Sequence, residues 1–106
     1  MSPELLALEK EAEQLKADGK NQESIAKFLE ALAIDENFER VHLALSVLYS
    51  KVEEHAKSVD HAEKAFKISP DPINSAALSE MYRRAFEATR DPIYIEKAES
   101  VNTNLQ

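Results

Sequence analysis

Cysteine is absent from this chain of 106 residues, and glycine occurs only once, at Gly19. Without cysteine, the chain can form neither a disulfide framework nor a thiolate metal site. A single glycine also excludes a glycine-rich loop that could hold phosphates. There are only four prolines, and β-branched residues never gather into alternating, strand-like runs. Because helix breakers are few and Ala, Glu, Lys and Leu are abundant, the composition predicts an all-α fold.

Positive charge is also scarce, with 13 basic against 20 acidic side chains and a net charge of −7. An acidic chain is repelled by phosphate backbones and by anionic lipid, so we expect neither nucleic acid nor a membrane surface as partner. The N-terminal segment MSPELLALEK has no basic start and no continuous apolar stretch typical of a signal peptide. No later segment approaches membrane-spanning length. We therefore expect a cytoplasmic protein.

An internal repeat is the most informative pattern that the chain contains. The segment ESIAKFLEALAIDEN, residues 23–37, recurs 34 residues later as KSVDHAEKAFKISPD, residues 57–71. Apolar positions match apolar positions and small positions match small ones. The matched pairs include Ser24 with Ser58, Ile25 with Val59, Ala31 with Ala65 and Leu32 with Phe66. A self-match at a fixed period is typical of stacked helical units, which form surfaces for other proteins more often than reaction sites.

Six helices are predicted within one domain spanning residues 1–106. They cover about Pro3–Ala17, a segment from Asn21 to before Asp35, about Glu39–Val52, about His55–Ile68, a segment from near Ile73, and a last segment opened by Asp91 and Pro92. Ser2, Asn21 and Asp91 are the predicted N-caps. The second helix has a predicted inward stripe of Ile25, Phe28, Leu29 and Leu32. We expect a fifth helix longer than its predecessors or a wider turn after it, and fraying in the tail Asn102–Gln106.

The third predicted helix is apolar on two faces. One face carries the stripe Val41, Leu45, Leu48 and Val52. At 100° per residue, Leu43 and Val47 lie on nearly the opposite face. Such a helix needs cover on both sides, either from its own fold or from a partner.

No residues form a convincing site for chemistry. His55 and His61 are six residues apart, not the three or four that place two metal ligands on one helical face. Paired carboxylates such as Glu53 and Glu54 are typical of an acidic helical surface, and catalytic pairs need a concave apolar pocket. Arg83, together with the arginines at 84 and 90, forms a basic cluster that we interpret as a solvated face. We therefore expect no enzyme, no catalytic residue, no bound metal and no cofactor.

The repeat resembles the tetratricopeptide (TPR) family. The core pattern small-x3-aromatic-x2-Ala-Leu stands as Ser24, Phe28, Ala31 and Leu32 in the first copy and as Ser58, Ala62, Ala65 and Phe66 in the second. A second helical pattern precedes each copy, at Leu8, Ala12 and Leu15 and then at His42, Ser46 and Tyr49. The resemblance covers residues 5–38 and 39–72, with a divergent third unit and capping helix at 73–103. It implies antiparallel helix pairs stacked as a short right-handed superhelix. The alternative is an ordinary helical bundle with an accidental self-match.

The resemblance also implies a groove for a partner. In TPR proteins, the first helices of successive repeats line a concave surface that takes an extended or helical peptide. Carried over by alignment, this surface comprises Glu9, Glu13, Arg40, Leu43, Val47, Lys51, Ala76, Glu80 and Arg83. The family's carboxylate clamp for acidic chaperone tails has Lys and Asn where this chain has Glu9 and Glu13, so that ligand is disfavoured.

The leading hypothesis is a non-catalytic protein interaction module, an adaptor or scaffold. Its partner segment would place an apolar anchor at Leu43 and Val47 and a basic residue near Glu9 and Glu13. Two alternatives are a structural module that self-associates through the same apolar surface and a fragment of a longer repeat array.

Overall fold

Helices account for nearly all of the computed structural model, which describes the backbone of residues 2–104 and the side chains of residues 2–101. This part of the chain contains six α-helices and no strand, which confirms the predicted fold class. The helices are α1 (Pro3–Ala17), α2 (Asn21–Ile34), α3 (Glu39–Lys51), α4 (His55–Ile68), α5 (Pro72–Thr89) and α6 (Ile93–Asn104). Across the described residues, no helix combines the length and the apolar character needed to cross a bilayer.

A side-chain hydrogen bond caps the starts of α1 and α5, whereas the starts of α2, α3 and α4 have no such bond. Ser2 caps α1 as predicted, with its hydroxyl accepting from Leu5 N–H at 3.1 Å. Asp71 caps α5 by accepting from Asn74 N–H at 2.8 Å. The prediction that Asn21 caps α2 is wrong, because Asn21 is already helical and Lys20 occupies the cap without a side-chain bond. The preceding turn is too short to leave Asn21 outside the helix.

The period of 34 residues is visible in the backbone of the turns that join each helix pair. Gly19 and Glu53 both adopt left-handed dihedrals, with φ of 77° and 62°. In the next position, Lys20 N–H donates to the Leu15 carbonyl at 2.9 Å, and Glu54 N–H donates to the Tyr49 carbonyl at 2.8 Å. The two helix pairs α1–α2 and α3–α4 therefore close with the same turn.

The same period appears in the packing between paired helices. The Ser24 hydroxyl donates to the Ala12 carbonyl at 2.7 Å, and the Ser58 hydroxyl donates to the Ser46 carbonyl at 2.6 Å. All four residues are buried. Small side chains let the two backbones approach closely, and the buried serine hydroxyl finds its hydrogen-bond acceptor on the neighbouring helix.

The third unit departs from the repeat. Helix α5 has 18 residues and ends at Thr89, and the cap residue that follows, Arg90, has a φ of 62°. The longer helix was one of the two predicted ways to break the period. Helix α6 begins at Ile93, one residue later than predicted. The Asp91 carboxylate accepts a hydrogen bond from Ile93 N–H at 3.1 Å. Residues 102–104, part of the tail for which fraying is predicted, continue α6, and residues 105 and 106 lie outside the described part.

Two groups of buried apolar side chains divide the interior. The first core joins α1, α2 and α3, with Phe38 in the loop before α3: Leu5, Ala12, Ile25, Phe28, Ala31, Phe38, Val41, Ala44, Leu45, Leu48 and Tyr49. The second core joins α4, α5 and α6: Val59, Ala62, Leu78, Met81, Tyr82, Ala85 and Val101. The predicted stripe of α3 is confirmed at Val41, Leu45 and Leu48, and Val52 packs at its edge. The inward placement of Leu29 is wrong, since 42% of its surface is exposed.

Candidate functional site

Helices α1, α3 and α5 are connected to one another by side-chain bonds. Arg40 on α3 donates to both carboxylate oxygens of Glu9 on α1, at 2.9 Å each. Arg84 on α5 donates to the Ser50 hydroxyl on α3 at 3.4 Å. The first helices of the three units are thus neighbours. We call the surface that carries the nine predicted groove residues, from Glu9 on α1 to Arg83 on α5, the α1–α3–α5 face.

The two apolar residues predicted for this face differ in how much of the fold covers them. Leu43 and Val47 are both half-buried. Val47 packs against the second core, so part of its cover comes from the protein itself. Leu43 belongs to neither core. Of the pair, Leu43 is the better candidate for contact with another molecule.

The α1 side of the face is partly neutralised within the protein. The Glu9 side chain is only 17% exposed, and its bidentate hydrogen bond raises the pKa of Arg40. The Arg40 guanidinium also lies 4.9 Å from the centre of the Phe38 ring. Glu13 is exposed and has no hydrogen bond or ion pair within the described residues. A basic group of a partner would therefore meet a free carboxylate at Glu13 and an occupied one at Glu9.

The α5 side of the face is an ion-pair cluster. Arg83 pairs with Glu80 and with Glu87, and Arg84 pairs with Glu80 at 3.0 Å. Hydrogen bonds from Arg83 lower the pKa of Glu80. The predicted basic cluster is thus largely compensated by neighbouring carboxylates. The remaining predicted residues, Lys51 and Ala76, are exposed.

A second surface, which the sequence did not indicate, lies on α2 and α4. It is a solvent-open cleft of about 790 Å³, which we call the α2–α4 cleft. Its lining consists of Leu29, Leu32, Glu36, Asn37, His42, His61, Lys64, Lys67 and Ile68. Leu29 and Ile68 are exposed large apolar residues. This explains the wrong assignment of Leu29, which borders the cleft instead of a core.

Two histidines meet in the lining of the cleft. Nδ1 of His42 lies 3.0 Å from Nδ1 of His61, and Nε2 of His42 lies 2.7 Å from the Glu36 carbonyl oxygen. The His42 and His61 rings stack with centroids 5.2 Å apart, and the Tyr49 ring stacks on His61 with centroids 5.5 Å apart. Burial, and secondarily the neighbouring His42, lowers the pKa of His61 to about 4.

The pairing of His42 with His61 was not predicted. These residues are 19 positions apart, on different helices, so their spacing along one helix gives no signal. A signal was present in the repeat. His42 is four residues before Ser46, and His61 is three residues after Ser58. In an antiparallel pair anchored by the Ser46–Ser58 contact, they meet one turn away.

The described side chains contain no group of three or more His, Asp or Glu residues placed to hold a metal ion. Tyr82 donates to the Glu63 carboxylate at 2.6 Å in a part-buried contact, and burial together with that hydrogen bond raises the pKa of Tyr82. Lys97 on α6 lies 3.6 Å from the same carboxylate, so the contact joins α4, α5 and α6. We interpret it as structural.

The chain matches no protein-family model and no curated protein.

Proposed function

We propose that this protein is a non-catalytic, TPR-like interaction module that binds a partner peptide or helix on the α1–α3–α5 face. The observation that carries the proposal is the half-buried Leu43, which lies on the middle helix of that face and belongs to neither core. An apolar side chain in this position gains by being covered. The repeated turns and serine contacts support the family resemblance behind the groove assignment.

The partner segment that fits this face has an apolar anchor and a basic residue. The anchor would cover Leu43 and the exposed edge of Val47. The basic residue would meet Glu13, because Glu9 is already held by Arg40. The flanking pairs Glu9–Arg40 and Glu80–Arg83 would form a polar rim, which contributes more to orientation than to affinity.

Replacement of Leu43 by Asp tests the proposal. Proteins that co-purify with the wild type should be lost from Leu43→Asp, because a charge at an apolar anchor is desolvated without a partner. Val47 is left intact, since it packs on the second core and its replacement would perturb folding.

Ile95→Asp is the matched control, because Ile95 is an apolar residue that is 40% exposed and lies on α6, outside the α1–α3–α5 face. A partner retained by both variants, with unchanged circular dichroism, would show that the α1–α3–α5 face is not the binding surface. A partner lost from both would show that the effect is nonspecific.

Self-association is the second candidate, and a cleft on the first helix pair favours it. This cleft of about 370 Å³ is lined by Ala7, Leu8, Ala33 and Ile34 with Glu4, Glu11 and Glu30. Among the described residues, none beyond α2 lines this cleft, and 44% of Ile34 is exposed. In a repeat array, such a surface is where another unit stacks. Sedimentation equilibrium at low micromolar concentration separates the candidates, because a monomer there excludes obligate self-association.

A further inference from the structure

The α2–α4 cleft has the size and lining of a small-molecule site. Its volume of about 790 Å³ is within the range of pockets that hold drug-sized ligands, roughly 300–1,000 Å³. Leu29 and Ile68 provide apolar walls on α2 and α4, and Leu32 lies deeper. The site is separate from the α1–α3–α5 face, because none of the residues predicted for that face lines it.

The histidine pair determines which hydrogen bond the cleft offers. The Glu36 carbonyl can only accept, so Nε2 of His42 carries a proton. When both rings are uncharged, Nδ1 of His42 accepts, and Nδ1 of His61 must donate to it. Nε2 of His61 is then an acceptor. It has no hydrogen-bond partner in the described part of the chain, and its residue lines the cleft.

The charged lining residues of the α4 wall favour an anion there, although the chain as a whole is acidic. Lys64 and Lys67 lie on the α4 wall, and Glu36 is the only carboxylate among the lining residues. Lys64 is paired with Asp60 at 3.0 Å. Lys67 has no ion pair within residues 2–101, so it is the cation that remains available.

We propose that the α2–α4 cleft binds a small amphipathic anion. The ligand has an apolar ring or chain that lies between Leu29 and Ile68, an N–H or O–H donor that meets Nε2 of His61, and an acidic group that meets Lys67. The three requirements come from three independent features of one cavity: its apolar walls, its oriented histidine and its free lysine.

Two fluorescent probes of matched shape test the proposal at pH 8. 8-Anilinonaphthalene-1-sulfonate has an apolar body, an N–H donor and a sulfonate, and N-phenyl-1-naphthylamine lacks only the sulfonate. We expect one binding site per chain and tighter binding of the anionic probe. Lys67→Gln should lower the affinity for the anionic probe about three- to fivefold, as loss of one exposed ion pair implies. It should leave the affinity for the neutral probe unchanged.

Lys10→Gln is the matched control, because Lys10 is exposed on α1 and outside the cleft. It should leave both probes unchanged. His61→Phe keeps an aromatic ring without the acceptor and should weaken both probes. Equal affinity of wild type and Lys67→Gln for the anionic probe would overturn the proposal. The proposal would also be overturned if Lys67→Gln lowered the affinity for the neutral probe as much as that for the anionic probe.

Backbone amide shifts of the wild-type protein give a second measurement that does not depend on any variant. Addition of the anionic probe should shift the amides of Leu29, His61 and Ile68. Shifts centred on Leu43 and Ala76 instead would place the probe on the α1–α3–α5 face and refute the cleft as its site. Shifts spread over both cores would indicate binding to a loosened state, which also refutes it.

Discussion

Glu53 occupies a backbone conformation that suits glycine. Its φ of 62° repeats that of Gly19 one period earlier, and side chains in this region cost about 1 kcal/mol or more. We expect Glu53→Gly to raise the free energy of unfolding by about 0.5–1 kcal/mol, measured by urea denaturation.

Glu53→Ala separates the backbone effect from the loss of a charge, because alanine keeps the strained conformation. It should give no gain. The reverse change, Gly19→Ala, should cost about 1 kcal/mol, even though an added Cβ would meet no atom within 4 Å. A stable Gly19→Ala variant would contradict the strain argument at both turns.

The lowered pKa of His61 implies that the free energy of unfolding depends on pH. Its pKa in the folded protein, about 4, lies below the value of about 6.5 expected in the unfolded chain. The unfolded state therefore binds the proton more readily, so the stabilisation is complete above pH 6.5 and is lost as the pH falls from 6.5 towards 4. The loss should reach about 3 kcal/mol at most.

Urea denaturation at several pH values measures this effect. His61→Phe should flatten the profile between pH 6.5 and 4, whereas His55→Gln, outside the stacked pair, should preserve it. An unchanged profile in His61→Phe would show that other groups dominate acid destabilisation.

At the scale of helices, the serine contacts are the feature that both repeats share. Ser24→Ala and Ser58→Ala each remove a buried hydrogen bond between paired helices and should cost about 1 kcal/mol. The two contacts lie in different helix pairs, so the double variant should lose the sum of the single losses. Ser58→Val should cost more than Ser58→Ala, because the close approach to Ser46 leaves no room for added methyl groups. Thermal and urea unfolding of the four variants measure these differences.

Helix boundaries could be predicted closely because their signals are local. Ser2 with Pro3, the Ser69 to Pro72 corner and the apolar spacing all act within a few residues. Asn21 and Leu29 were assigned wrongly because local pattern does not show the length of a turn or the helix that lies opposite. Leu29 has helical spacing typical of a core residue, but it borders an open cleft.

The whole molecule should open from its C-terminal end. Helix α3 has eight buried residues and packs on α2, α4 and α5, whereas α6 packs on α5 and has one buried residue, Val101, among its side chains up to residue 101. Hydrogen exchange should therefore be fastest for amides of α6 and slowest for those of α3. Two-dimensional NMR in D2O measures this order. Protection of α6 equal to that of α3 would contradict it and would indicate a single cooperative unit.

The candidate groove could be predicted only in part. Alignment to the repeat identified the helices of the α1–α3–α5 face, because the register of a repeat carries over from one unit to the next. It could not show that Arg40 compensates Glu9, or that Val47 packs on the second core. Both contacts depend on the distance between helices, which the repeat register does not contain.

The amino-acid order by itself determined an all-α chain with two helix pairs of one design, because helical period, capping and turn residues act over short distances. Tertiary structure alone decided that His42 meets His61, that Leu29 and Ile68 border an open cleft and that Lys67 forms no ion pair with the described side chains. These features depend on how far apart the packed helices lie and which gaps remain between them. Side-chain volumes across the whole interior set those distances, and no single segment specifies them.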